Sequence, residues 1–173
     1  MITVEETSLP GVLLIKPYIN EDFRGQNTEL YDEKIYAEHG ITDRFVLDTI
    51  SVSRRHVWRG LHGDSTTAKL IACLEGSFYF VVVDGNKDSA HFGKSVTCTL
   101  SERNRHQVYV PAGYGNGHLV MSERAIFYYK QTVHYDGGGR QFTWRYDDPK
   151  FNLRLPVANP IVSDRDYNAP FLP

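Results

Sequence analysis

The chain has 173 residues, 41% apolar and 23% charged, which is the profile of one soluble globular domain spanning residues 1–173 with a full core. A net charge of −2 argues against a nucleic-acid partner, and no apolar run is long enough to cross a membrane. The start, Met1-Ile2-Thr3-Val4-Glu5-Glu6, lacks the basic region of an export signal, so a cytoplasmic protein is expected.

Residues 11–17 read as a short strand stopped by proline. Residues 20–25 form a polar turn ending in glycine, and residues 26–31 alternate weakly as a further strand. Residues 32–39 are the convincing helix, with Asp32 as N-cap and Gly40 where a C-terminal cap belongs. Residues 45–53 form a strand with Phe45, Leu47, Thr49 and Ser51 on one face. From Lys69 onward, short segments rich in Val, Ile, Phe and Tyr follow at 70–74, 78–84, 95–100, 107–111, 118–121 and 125–132. Polar and glycine turns separate them, and no 3.6-residue period persists. That spacing is the mark of a β-sandwich or barrel and disfavours an α/β crossover fold. Residues 136–139 are a flexible loop, and the chain beyond Phe151 is irregular and proline-rich. Its Ser163-Asp164-Arg165-Asp166 cluster is too charged for a core position. Cys73 and Cys98 sit in expected strands without CxxC spacing, which indicates buried thiols in a reducing compartment.

The stretch Val57-Trp58-Arg59-Gly60-Leu61-His62-Gly63-Asp64, closed by Lys69, is the densest group of reactive side chains. His62 has glycines on either side, Gly60 and Gly63, which would let a ligand approach the backbone. Lys69 opens an apolar strand; pointed inward, its ammonium would be an expensive buried charge facing a substrate or a carboxylate. Tyr128 and Tyr129 point to opposite faces of their strand, so one phenol faces the interior, where it is a usable acid if another group assists it. In Pro111-Ala112-Gly113-Tyr114-Gly115-Asn116-Gly117-His118, a metal-binding cupin would carry histidine where Asn116 stands. Its first metal motif would be His-x-His, where this chain has His62-Gly63-Asp64. Asparagine is a poor substitute for imidazole on a transition metal, so no metal is expected, although His62, Asp64 and His118 remain a conceivable set. No phosphate loop, dinucleotide fingerprint or serine nucleophile elbow is present. Arg24, Arg54, Arg55 and Arg59 could fork onto a pyrophosphate or simply be scattered surface charge.

Together these pieces resemble the dTDP-4-dehydrorhamnose 3,5-epimerase family of RmlC-like cupins over nearly the whole chain. The resemblance rests on Asp22-Phe23-Arg24-Gly25 with Glu29, Trp58-Arg59-Gly60-Leu61-His62, Lys69-Leu70, Pro111-Ala112-Gly113-Tyr114, Tyr129-Lys130 with Tyr135, Trp144, and Ser163-Asp164-Arg165-Asp166. It implies an all-β cupin jelly-roll barrel with a short N-terminal helix and an irregular C-terminal segment. It also implies a homodimer that needs no metal or cofactor and acts on a nucleotide diphosphate-sugar. By the family pattern His62 is the general base, oriented by Asp166; Lys69 stabilises the enolate and Tyr129 is the acid on the opposite face. Arg24, Glu29, Arg59 and Tyr135 hold the nucleotide sugar, and Asp64, Asn116 and His118 join them as candidate substrate contacts. The chain departs from the pattern after His62, where an aromatic and Gln are usual and Gly63-Asp64 stand. It departs again at Gly115-Asn116-Gly117-His118, where Ala-His-Gly-Phe is usual. These departures look like relatives acting on GDP-linked 4-keto-6-deoxy-heptoses in capsule synthesis, and that branch is the expectation. The alternatives are a nucleotide-sugar 3,4-ketoisomerase and a non-catalytic sugar-binding cupin module.

Overall fold

The computed structural model describes residues 2–172. In chain order these form β1 (Thr3–Glu6), β2 (Leu13–Lys16), β3 (Asn20–Asp22), β4 (Gly25–Asn27), α1 (Glu33–Glu38), β5 (Leu47–Arg54), β6 (Trp58–Gly63) and β7 (Lys69–Glu75). There follow β8 (Ser77–Val83), β9 (Ser95–Ser101), β10 (Gln107–Val110), β11 (Gly115–Val120), β12 (Arg124–Gln131), β13 (Phe142–Thr143), a 3-10 turn at Pro149–Phe151 and α2 (Asp164–Tyr167). A six-stranded sheet in the order β1-β2-β10-β7-β12-β5 faces a five-stranded sheet in the order β13-β6-β11-β8-β9. This is the expected jelly roll. Among the described residues no helix is long and apolar enough to cross a membrane.

The strand period of two explains which residues fill which layer. Along β7, Ile71 and Cys73 enter the core between the sheets, where they meet Phe78, Phe80 and Val82 of β8 and Phe127 of β12. Leu70 turns outward and packs with Ile15, Tyr36 and Ile41 under α1. On the outer face of the other sheet, Trp58, Leu61, Val81, Val83 and Leu119 are covered by Phe151 and Leu172 of the C-terminal segment. Strands covered on both faces lose polar alternation, which is why β8 reads as an unbroken apolar run. Helix α1 begins where Asp32 accepts hydrogen bonds from the amides of Lys34 and Ile35, and Gly40 follows it at φ +84°. Six residues cannot sustain a helix alone; Tyr36 anchors this one, its hydroxyl reaching the Gln107 side chain at 2.9 Å. Cys73 is buried and Cys98 half-buried, and both are free thiols.

Several expectations change. The polar turn at 20–25 is a two-stranded hairpin, β3 with β4, and the strand expected at 26–31 stops at Asn27. β1 carries one apolar residue, Val4, too little to signal a strand; pairing with β2 along the sheet edge makes it one. β11 starts at Gly115, not at His118, which places Asn116 on the strand rather than in the preceding turn. The charged 163–166 cluster is not wholly exterior: it forms α2, and Asp166 is 3% exposed.

Candidate active site

A cavity of about 590 Å³ opens between the two sheets, lined by side chains from both. Its first wall is β6. That strand pairs with β11 as Asn116 opposite His62 and His118 opposite Arg59, so three steps along β6 match two along β11. The extra residue is a β-bulge, and it lets Arg59 and His62 both face the cavity while Trp58 and Leu61 both face the outer core. Gly60, inside the bulge at φ +138°, lies so close to β11 that an added Cβ would stand 2.5 Å from the Gly117 Cα. At Gly63 an added Cβ would stand 2.1 Å from the Tyr114 carbonyl oxygen. Both glycines are therefore required by neighbouring protein, not by the approach of a ligand as the sequence suggested.

His62 is held by Asp166, whose Oδ1 lies 2.6 Å from the imidazole Nε2. The other carboxylate oxygen accepts the amide N–H of Gly60 at 3.1 Å, so one buried carboxylate grips both the bulge and the ring it presents. Burial works against ionisation of Asp166, but the hydrogen bond and charge of His62, the Gly60 amide and Arg165 outweigh it and hold the carboxyl below its usual range. α2 delivers this carboxylate: Ser163 caps it by accepting the Asp166 amide, and Trp58 donates its amide to Ile161 just upstream. His62 itself lines the cavity.

The second wall is the six-stranded sheet. Lys69 and Tyr129 lie on neighbouring strands, β7 and β12, with inward parity shared by Ile71 and Phe127. The Lys69 ammonium sits 5.9 Å from the centre of the Tyr129 ring and donates to Asn116 Oδ1 at 3.4 Å. Burial brings the Lys69 pKa down to about 8, opposed by the negative charge of Asp64. Asn116 also donates its Nδ2 to the His62 carbonyl at 3.1 Å, so it ties the ammonium to the strand that carries the imidazole. A base on one wall and an ammonium with a phenol on the other is an arrangement able to move protons on both faces of a bound molecule.

Arg59, His118 and Tyr135 also line the cavity. Arg59 donates Nε to Ser53 at 2.9 Å. Tyr135 is 60% exposed. His118 is 2% exposed, stacked on Phe127 with centroids 4.1 Å apart. Its pKa is pushed down to about 3, first by burial and then by the charges of Arg59 and His62. Three expected contacts are not in this cavity. Arg24 sits on the exposed β3–β4 hairpin paired with Asp22 at 2.6 Å. Glu29 lines a separate small cavity with Tyr18, Asn27 and Ile35. Asp64 is 7% exposed and closes its own turn, accepting from the Thr66 hydroxyl and from the amides of Thr66 and Thr67. Among the described residues no group of three or more His, Cys, Asp and Glu could hold a metal, so the His62, Asp64 and His118 set is not assembled. The cavity also uses Ser51 and Arg165, which sequence reading did not single out as contacts. Ser51 was findable, because it shares the inward face with Leu47 and Thr49; Arg165 was not, because its place depends on where α2 docks.

Comparison with known proteins shows the family of the chain. Residues 6–173 match the family model described as dTDP-4-dehydrorhamnose 3,5-epimerase. The chain is 36% identical over 172 residues to dTDP-4-dehydrorhamnose 3,5-epimerase of Shigella flexneri, covering 96% of this chain and 94% of that one. It is similar to the Legionella pneumophila 3,5-epimerase in complex with dTDP-4-keto-L-rhamnose, with a TM-score of 0.94, 35% identity, and 99% and 93% of the two chains covered. A 3′-monoepimerase from Streptomyces bikiniensis in complex with dTDP-quinovose matches with a TM-score of 0.90 and 27% identity, over 96% and 86% of the chains.

Proposed function

The chain belongs to the dTDP-4-dehydrorhamnose 3,5-epimerase family and is therefore an epimerase, and on that premise we propose the substrate and the role of each residue. The substrate is a nucleotide-linked 4-keto-6-deoxy sugar. Support for a dTDP-linked hexose comes from the related structures, whose bound sugar nucleotides are dTDP-linked. The GDP-heptose preference read from the sequence has no such support, and of the departures behind it Asp64 has no direct part in the cavity.

The observation that carries the proposal is the His62–Asp166 pair at 2.6 Å on one sheet, facing Lys69 and Tyr129 on the other. The 4-keto group acidifies the C–H bonds beside it. His62 takes a carbon-bound proton, and the electron pair moves onto the carbonyl oxygen as an enolate. Asp166 supports the imidazolium that forms. The Lys69 ammonium stabilises the oxyanion. Tyr129 gives a proton to the opposite face, the carbonyl reforms, and the stereocentre is inverted. Solvent then takes the proton from His62 and restores the one on Tyr129. Arg59 holds the diphosphate, and Tyr135 at the rim contacts the nucleotide end. Asn116 orients Lys69 against the substrate.

Arg24 and Glu29 join this scheme through a homodimer. The β3–β4 hairpin projects with Phe23 97% exposed, and Ile50 and Val52 stand exposed on the outer face of edge strand β5. A second copy covering those side chains would carry its Arg24 toward a cavity that the residue does not line in its own chain. The test of the reaction is proton NMR in heavy water with dTDP- and GDP-linked 4-keto-6-deoxy sugars. Deuterium enters at C3, C5 or both; no incorporation with any of them refutes the epimerase reading of this cavity.

A further inference from the structure

Asp166 holds the His62 ring at 2.6 Å from a helix of four residues. One turn is too short to sustain itself in water. Within α2 the Tyr167 amide donates to the Ser163 carbonyl and the Asn168 amide to the Asp164 carbonyl. Ser163 secures the start of the turn. Tyr167, which follows Asp166, is 60% exposed, so its ring is not anchored in a core.

The far end of the turn is held by Arg145, just past β13. The chain there is fixed on β6, because Trp144 exchanges both backbone hydrogen bonds with Leu61, the residue between Gly60 and His62. From that frame Arg145 donates Nη1 to the Tyr167 carbonyl at 2.8 Å, and its amide donates to the Pro170 carbonyl at 3.2 Å. Nε and Nη2 fork onto the two carboxylate oxygens of Asp147, each at 2.7 Å. The guanidinium also stands 5.0 Å from the ring centres of both Tyr167 and Phe171. A cation held by a carboxylate fork and two aromatic rings has little freedom left, so its remaining N–H fixes the carbonyl beside Asp166. Arg165 adds a second tie, from Nη2 to Gln141 Oε1 at 3.1 Å and to Thr143 Oγ1 at 2.9 Å, but it also lines the cavity. Arg145 does not line the cavity, so its effect on α2 is separable from any contact with substrate.

We propose that Arg145 is a positioning residue for Asp166: it clamps α2 to the strand that carries His62 and so keeps the carboxylate on the imidazole. The catalytic consequence rests on the proton-transfer reading of His62. The test compares Arg145→Ala and Arg145→Lys with Asp166→Asn and with the double variant Arg145→Ala/Asp166→Asn, in the heavy-water assay and in dTDP binding. In Arg145→Ala kcat should fall about tenfold to a hundredfold. The loss should be smaller in Arg145→Lys, which keeps a donor for the Tyr167 carbonyl but not the planar fork. KM and dTDP affinity should stay within about twofold. In the Asp166→Asn background Arg145→Ala should change kcat by less than about twofold, because no carboxylate remains to be placed. Equal losses in both backgrounds, or a rise in KM with kcat unchanged, overturn the proposal. The ring resonances of His62, identified by their absence from His62→Asn, should move in Arg145→Ala toward their Asp166→Asn positions, while those of His39 at the end of α1 stay in place. Unmoved His62 resonances in folded Arg145→Ala overturn the clamp whatever the activity. Movement of those resonances without exchange by the wild type keeps the clamp and removes the epimerase reading.

Discussion

Replacing Lys69 by methionine should stabilise the protein while disabling it. Lys69 is half-buried between the sheets, and its pKa falls from 10.5 to about 8. A drop of that size is a folding penalty of about 3 kcal/mol on the protonated form. The sign follows from linkage. Below about pH 8 the lysine is charged in both states and the penalty is complete. Between that value and 10.5 the unfolded chain binds more protons, so wild-type stability rises and the penalty disappears. Lys69→Met has a similar length and no charge, so its gain should be largest at pH 7, up to about 3 kcal/mol, and should vanish near pH 10.5. Urea unfolding of both proteins at a series of pH values measures it. The same variant should lose about 10²–10³-fold in kcat, as expected when an oxyanion partner is removed. A variant no more stable than the wild type at pH 7, or a gain that does not shrink with rising pH, would refute the claim that this ammonium is held in the cavity against a desolvation penalty.

Tyr129→Phe should uncouple exchange from inversion: His62 still removes and returns a proton on its own face, so deuterium enters the substrate while the epimer fails to accumulate. Chiral product analysis beside NMR checks this, and full epimerisation would remove Tyr129 from the scheme. Asp64→Asn keeps an oxygen for the turn amides of Thr66 and Thr67 but removes the negative charge that raises the Lys69 pKa. The alkaline limb of the kcat/KM profile should therefore move to lower pH, and an unmoved limb would show that Lys69 does not set it. Gly60→Ala should lower stability by about 3 kcal/mol or more, because the new methyl meets the Gly117 backbone at 2.5 Å and the φ of +138° disfavours any side chain. An unchanged denaturation midpoint would contradict the bulge geometry.

What could be read in advance divides along a physical line. The core strands were legible because burial on both faces leaves runs such as Phe78-Tyr79-Phe80-Val81-Val82-Val83 that no helix period fits. The helix was legible from Asp32 and Gly40, since caps are local chemistry. His62, Lys69 and Tyr129 could be named from residue type, strand parity and family order. Their distribution over two opposed sheets could not, because it is set by strand order rather than by any stretch of sequence. The spacing of Arg59 and His62 was misleading for a related reason. Three residues apart on a regular strand they would point to opposite faces, and only the bulge at Gly60 brings them to one. Asp166 was hidden by its neighbours: a Ser-Asp-Arg-Asp run reads as surface, yet one turn of helix buries the last carboxylate while Asp164 stays exposed and Arg165 reaches the cavity rim.

The three positions at which the chain departs from its family then stop being equivalent. Asp64 is spent on its turn and acts on the chemistry only through the charge it lends to Lys69. Asn116 stands between the two walls, bonded to Lys69 on one side and to the His62 backbone on the other, so its effect is on alignment. His118 alone presents a polar atom that no described part of the protein answers. The three departures thus differ in place: one closes a turn, one bridges the walls, and His118 is sealed in the aromatic core beside an unaltered His62–Asp166 pair.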